Sequence, residues 1–543
     1  MAEVLALALA AVGVAVFLRV RPHAFPTHDA PAAGTAAEAT RAAAAAVRRL
    51  CGLDVSRWRS FAVLSFDDAT VDRLHQLGTA GPPHAFLVDC GLSGSWRVRF
   101  VTPGGSALVA LSAHGEVVLF DLVGTAYEEV AAAAAGAPPA GERDGALSRD
   151  EVLSRLGADR SGGLWTRARP VGAGYRERTD EAVEHSRRLR VDHAAVRIDF
   201  EVQTVGDAVV RVDSAVELVA DGARGLDQAD QREALASAGG VLGSVLAFIG
   251  GILILEYADG AGRPLLAAVL GAAVLVAAAY GDVGGFRYAA VHAYDGTLSL
   301  RAFRVTNALV AAVSALAMTA VVVVAALAGS VVAGRIGLNV TGDLGRQVAF
   351  GLVVGAGWLA LGALAYALLR RAGRARVAPS PDRRSLRTTG MDVPHVLSVT
   401  AQSAIGEEAV FRLLVVPVLL WLTGVPVLAA LVAAALWAAV HRGGAVRPRS
   451  VRFVELTVVG VLLGVTAIQV GFVAALVAHA TYNLVVLAAP LLGGRPADPG
   501  QPAGAGARSG AREPTTDPSE RPEPAGTAAT PAAAAEERHG DHP

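Results

Sequence analysis

The chain has no lysine; all 48 of its Lys-or-Arg positions are arginine. With its abundant alanine and glycine, this points to a GC-rich, bacterial coding sequence and carries no functional information by itself. Cysteine is almost absent. Cys51 and Cys90 are the only two, and neither sits in a CxxC or Cys/His spacing, which excludes a disulfide-built scaffold and a zinc-finger type of site. The HExxH helix of soluble zinc proteases is also missing. The arginines are balanced by 49 acidic residues, for a net charge of −1, so no bulk field draws in a nucleic acid and no nucleic-acid partner is expected. Charge of either sign is scarce, at 18% of residues against 53% hydrophobic, and mean hydropathy is +0.44. That is too apolar for a soluble protein of 543 residues and too long for one domain.

What is present instead is a series of uncharged runs near the ~20 residues that cross a bilayer. Residues 4–18 form the first, followed by Arg19 and Arg21. A secretory signal carries its positive charge before the apolar run, so residues 1–20 are read as an uncleaved anchor, with a signal peptide as the alternative. Further candidate helices lie at 238–255, 264–280, 307–332, 348–369, 396–422, 425–441, 453–469 and 471–493. The expected fold is an all-α transmembrane bundle of about eight or nine helices carrying an N-terminal soluble α+β domain. Loops 281–304, 370–395 and 442–452 hold 3, 7 and 4 arginines, while 258–263 and 333–346 hold 1 and 2. The bias puts the first set inside, and with it the soluble domain and the C-terminal tail in the cytoplasm of a bacterial plasma-membrane protein.

Residues 24–235 read as the soluble domain. "VRRLCGLDVSRWRSFAV" and "LSRLGADRSGGLWTRARPV" are loosely alike: a helix end, a Gly, an Asp, then a Trp opening an extended stretch. The second helix starts with a capping box, Ser148 and Glu151. Trp96, Val98 and Phe100 alternate with Arg97 and Arg99, and Val196 to Val202 alternate in the same way, as half-buried strands do. This suggests two helix-plus-sheet units, weakly similar to the PepSY or cystatin-like type, with no catalytic constellation. Residues 238–370 read as accessory transmembrane helices and 396–493 as the core that carries the chemistry. Residues 495–543, rich in Pro, Ala, Gly and charge, are expected to be disordered.

The core contains "AIGEEAVFRLLVVPVLLWL", where Glu407, Glu408 and Arg412 sit in a setting that makes charge costly. Glu408 and Arg412 are four residues apart and can pair along one helix face. Trp437 and His441 share that spacing on the next helix, as do His479 and Asn483 on the last. Three facing helices would bring Glu407, His441, His479 and Asn483 into one pocket.

"EEAVFR", "WAAVH" and "HATYN" resemble, in order and spacing, the three motifs of the CPBP (Abi) family of intramembrane proteases, which includes the CAAX-prenyl endopeptidases. The resemblance covers about 396–490. It departs at Trp437, where the family usually has Phe, and at Leu413, where Gly is common. It implies an intramembrane endopeptidase acting on a peptide or protein in or at the membrane. Glu407 would activate the attacking water, His441 would help hold that water or a metal, and His479 with Asn483 would stabilise the oxyanion. Glu408, Arg412 and Trp437 would support the helix or bind substrate. Glu407, His441 and His479 could instead ligate Zn2+ or another divalent metal; the family is compatible with either mechanism. The alternative is a catalytically idle relative that binds a peptide or protein partner in an immunity or regulatory role. Gly460 and Gly464 form a GxxxG step for close helix packing.

Overall fold

The structure, a computed structural model, describes residues 2–492 apart from 29–34, 79–80, 113, 137–146, 159–162, 173, 179–182, 220–222, 259, 261, 379, 382–392 and 442–445. The expected tail at 495–543 lies outside the described residues.

Helix α1 (Ala2–Ala24) precedes the soluble domain. That domain holds helices α2 (Ala36–Cys51), α3 (Asp68–Leu77), α4 (Gly81–Asp89), α5 (Thr125–Gly136) and α6 (Arg149–Leu156). Its strands are β1 (Arg59–Ser65), β2 (Ser95–Thr102), β3 (Gly105–Leu111), β4 (Val117–Gly124), β5 (Arg169–Pro170), β6 (Tyr175–Arg178), β7 (Val183–His193), β8 (Val196–Val205) and β9 (Ala208–Leu218). The predicted capping box forms: Ser148 and Glu151 exchange hydrogen bonds with each other's backbone N–H groups. The loosely repeated segments do follow one pattern, with α2 and α6 both ending at a left-handed glycine, Gly52 and Gly157. The two halves are not separate units in space. They join edge to edge through β4 and β9 into one antiparallel sheet of order β1-β2-β3-β4-β9-β8-β7-β5, with β6 also on β7. Trp165 locks the joint from the core: it is fully buried, donates to the Val117 carbonyl at 3.1 Å and packs on Phe200.

The rest is helical: α7 (Ala223–Tyr257), α8 (Pro264–His292), α9 (Leu300–Arg335), α10 (Leu344–Arg371), α11 (Val393–Glu408), α12 (Val416–Thr423), α13 (Pro426–Val440), α14 (Arg449–Gln469) and α15 (Phe472–Leu492). Among the described residues six helices are long and apolar enough to cross a membrane: α1, the first part of α8, α9, α10, α14 and most of α15. The apolar parts of α7 and α13 are shorter, at Val245–Tyr257 and Pro426–Val440. The expected span at 396–422 is divided instead, with a π-helical turn between α11 and α12. Large apolar side chains such as Leu309, Val313, Leu361 and Val458 point outward, as they must where the surrounding solvent is lipid. The chain is a membrane protein.

Glycines set the helix spacing. A Cβ on Gly355 would lie 2.5 Å from the Ala478 carbonyl oxygen, so α10 and α15 touch backbone to backbone. The GxxxG step does the same for α14 and α13, with Gly460 and Gly464 against Ala434 and Ala430.

One strand departs from its alternation pattern. Arg99, expected on a wet face, is only 4% exposed. That face of β1–β3 docks on the end of α8, where Phe61, Val63, Val101 and Leu108 pack with Ala290, Val291 and Tyr294. Arg99 donates to the Val291 carbonyl at 3.0 Å, near the C-terminal helix end where a cation is favoured. Arg97 stands 3.4 Å from Nδ1 of His292. Burial, then the Arg97 and Arg99 charges, push His292 from its ordinary value of 6.5 down to about 4.

This sets a pH dependence. Undocked, His292 regains its ordinary proton affinity, so between about pH 6.5 and 4 the undocked state binds more protons and docking weakens as pH falls. Hydrogen exchange in β1 and β2, corrected for its intrinsic pH dependence, should speed up from neutral pH to about pH 5. His292→Gln should flatten that response; a flat response in the wild type would contradict the docking described.

Candidate active site

The site is built around one irregular turn. Pro417 has no N–H to give to the Leu413 carbonyl, so the regular helical ladder cannot continue through it. The chain widens over Ala409–Val415 into π-helix, with the Val416 N–H donating to the Phe411 carbonyl five residues back. Such turns are frequent at functional sites. Helix α9 crosses directly over it: a Cβ on Gly329 would lie 2.0 Å from the Leu413 carbonyl oxygen.

Just before this turn, Glu407 and Glu408 end α11. Adjacent residues on a helix project about 100° apart, so the two carboxylates face different neighbours. Glu408 faces inward. Its Oε1 accepts from Nδ1 of His479 at 2.7 Å and lies 3.1 Å from Arg412 Nη1. Arg412 in turn lies over the Trp437 ring, 4.7 Å from its centroid. Glu408, Arg412 and His479 are sealed, with side-chain exposures of 0%, 1% and 3%. Arg412 is thus closed off from solvent inside the bundle.

Glu407 faces the open side. Its Oε1 accepts from Ser403 Oγ at 2.7 Å and its Oε2 from Trp437 Nε1 at 2.6 Å. His441, the residue that closes α13, bonds the Trp437 carbonyl through Nδ1 at 2.9 Å and brings Nε2 to 3.4 Å from Glu407 Oε1. His479 Nε2 lies 3.9 Å from Glu407 Oε2. Asn483 donates to Ser403 Oγ at 3.1 Å, so its amide is tied to the Glu407 carboxylate through that hydroxyl. Glu407 and His441 are 20% and 34% exposed, so the cluster is open on one side and closed behind.

All seven residues singled out in the sequence therefore meet. Two parts were not legible there. Ser403, four residues before Glu407, joins Asn483 to the carboxylate; the i, i+4 spacing was the available signal. Trp437 is a hydrogen-bond donor to the carboxylate, a role the Phe usual at this position could not perform. Glu455, on α14, accepts from Tyr366 at 2.5 Å and Arg452 at 2.6 Å.

The donor types of Glu407, His441 and His479 suit a divalent metal, and both rings have Nδ1 anchored as metal-binding histidines do. Their arrangement does not match a coordination shell. Both Glu407 oxygens are engaged by neutral donors, and among the described residues no group of three or more His, Cys, Asp or Glu is arranged to hold a metal ion.

The comparisons with known proteins fall on the same residues. A family model described as "Type II CAAX prenyl endopeptidase Rce1-like" matches residues 389–485. Over a longer stretch the chain is 30% identical to the sporulation-killing factor biosynthesis protein SkfC of Bacillus subtilis (strain 168), across 489 residues covering 89% of this chain and 94% of that protein. No solved structure matches.

Removing one partner of a sealed ion pair leaves the other uncompensated, at a cost of about 3–5 kcal/mol. Arg412→Met should therefore strongly lower thermal stability in detergent. Combining it with Glu408→Gln should recover part of the loss, a coupling read from a double-mutant cycle. Additive effects would mean that the pair is not coupled.

Proposed function

The chain belongs to the CPBP family of CAAX-type intramembrane proteases, and from that premise we propose that it hydrolyses a peptide bond of a membrane-associated peptide or protein, using water activated by Glu407. The observation that carries this reading is the one-sided convergence of His441 and His479 on a Glu407 whose two oxygens are already oriented by Ser403 and Trp437.

In the proposed reaction Glu407 takes a proton from water as the water oxygen attacks the peptide carbonyl. His441 Nε2, aimed at the same carboxylate, relays that proton to the amine as the C–N bond breaks. His479, acting as the imidazolium with its Nδ1–H on Glu408, directs its Nε2–H at the carbonyl oxygen and donates to it as negative charge develops. Asn483 holds Ser403, and Ser403 holds the base. Glu408 and Arg412 act as positioning residues. The chemistry is assigned to these side chains alone. The version in which Glu407, His441 and His479 hold Zn2+ or another divalent metal is separated from it by chelation.

The relative's name ties it to biosynthesis of a sporulation-killing factor. For this chain that supports a maturation cleavage of a membrane-associated peptide. The arginine bias of loops 281–304, 370–395 and 442–452 supports a cytoplasmic position for the soluble domain, the tail and the open side of the site.

Glu407→Gln keeps size and polarity but cannot accept the proton. Comparing peptide termini by mass spectrometry at matched membrane levels, specific cleavage products should fall by about 10²-fold or more. Phenanthroline should leave cleavage by the purified protein unchanged. Cleavage abolished by phenanthroline and restored by Zn2+ would overturn the side-chain-only mechanism. Unchanged termini, with Glu407→Gln still rescuing a gene deletion, would overturn catalysis and favour a partner-binding role.

A further inference from the structure

Distance alone does not keep a divalent ion away from Glu407. His441 Nε2 lies 3.4 Å from Glu407 Oε1, and His479 Nε2 lies 3.9 Å from Glu407 Oε2. Ligands held at about 2.0–2.2 Å around one tetrahedral ion sit roughly 3.3–3.6 Å apart. The first separation fits. The second is longer, by an amount that a small rotation of either side chain would close. The misfit of this donor set to a metal therefore has another cause.

That cause is the Trp437 side chain. Its Nε1–H donates to Glu407 Oε2 at 2.6 Å. Its ring touches both imidazoles, with centroids 5.1 Å from His441 and 5.8 Å from His479. The donor thus reaches the carboxylate from among the two histidines, the side on which an ion shared by all three would have to lie. A hydrogen bond that supports a ligating carboxylate comes instead from outside the shell, away from the other ligands. An indole N–H is a donor only, so Trp437 can hold the oxygen but cannot join a coordination shell. The other oxygen, Oε1, is held by Ser403 Oγ, whose own lone pair takes the Asn483 amide.

The indole is fixed in this place. Trp437 is 2% exposed. Arg412 covers its face, 4.7 Å from the centroid, and His441 Nδ1 bonds its carbonyl. Gly460 makes room for the ring edge: a Cβ there would lie 3.2 Å from Trp437 Cε3. An ion entering beside the indole would also add two positive charges close to the sealed Arg412 guanidinium, where little water screens them.

We propose that Trp437 excludes divalent metal from this site, its N–H holding the Glu407 oxygen that an ion shared with His441 and His479 would need. Under the peptidase reading, on which this consequence rests, the carboxylate is thereby kept as a proton acceptor. The exclusion itself does not depend on that reading.

The test is Zn2+ uptake by the full chain in detergent, stripped with a chelator and titrated with the metal alone. Trp437→Phe keeps an aromatic ring and loses the donor. It should bind Zn2+ about 10- to 100-fold more tightly than the wild type, the range set by one hydrogen bond to a charged group. Adding Glu407→Gln should abolish the gain, which assigns it to this site and not to histidines elsewhere. Equal Zn2+ affinity in the wild type and a folded Trp437→Phe overturns the proposal. If that variant loses its thermal transition, the wild type is read by its indole N–H resonances after 15N-tryptophan labelling. The downfield signal that Glu407→Gln moves belongs to Trp437, and one equivalent of Zn2+ should leave it in place; its shift or loss overturns the exclusion. Neither readout uses cleavage. Peptide termini unchanged by Glu407→Gln would remove the peptidase reading and leave the metal result standing, whereas tight Zn2+ binding by the wild type through Glu407 would remove the exclusion and leave peptide hydrolysis open.

Discussion

Glu408 and Arg412 lie side by side where water solvates neither. Taking two charges out of water is costly, and their mutual attraction offsets that only with good geometry and further partners. Those partners come from other helices: His479 on α15 bonds the Glu408 carboxylate, and Trp437 on α13 covers the guanidinium. These partners reach the two charges only when α11, α13 and α15 stand together, and even so Glu408 Oε2 and both Arg412 Nη atoms stay buried without a hydrogen bond. The same assembly brings His441 and His479 to Glu407. The open half of the cluster is thus a geometric consequence of assembling the closed half.

Apolar attraction does not hold these helices together, because lipid tails are as apolar as leucine. Close backbone approach does, through Gly355 against Ala478, Gly460 and Gly464 against α13, and Gly329 over the Leu413 carbonyl. Gly355 meets the residue next to His479. Gly329 meets the turn that Pro417 loosens. The small residues therefore help set the placement of the same side chains whose charges demand it.

Much of this was legible in the sequence. Four-residue spacings put Glu408 with Arg412, Trp437 with His441 and His479 with Asn483, and each pair does project from one helix to one side. The capping box at Ser148 was readable because it is purely local. What was not readable depended on contacts between distant segments. Arg99 has the alternation of a wet strand face, and only the arrival of α8, almost two hundred residues later, buries it. The span expected at 396–422 was read as one continuous helix because its length and apolar character hide the effect of Pro417, which cannot continue the ladder and is preceded by the π-helical turn at Ala409–Val415. The two halves of the soluble domain look like separate units along the chain because the β4–β9 pairing that unites them leaves no local trace.

Helix α8 connects these observations. At its C-terminal end the Val291 carbonyl receives Arg99 from the sheet. Farther along, the Ala277 carbonyl receives Ser398 Oγ at 2.6 Å and Gln402 Nε2 at 3.2 Å. Gln402 is adjacent to Ser403, which holds the Glu407 carboxylate. A carbonyl in a transmembrane helix already has its helical partner, so these extra side-chain bonds are not needed to satisfy the backbone. They fix the height and rotation of α11 against α8. The soluble domain grips one end of the strut and the helix that carries Glu407 is pinned to its middle. The sheet is therefore part of the frame that holds Glu407 in place.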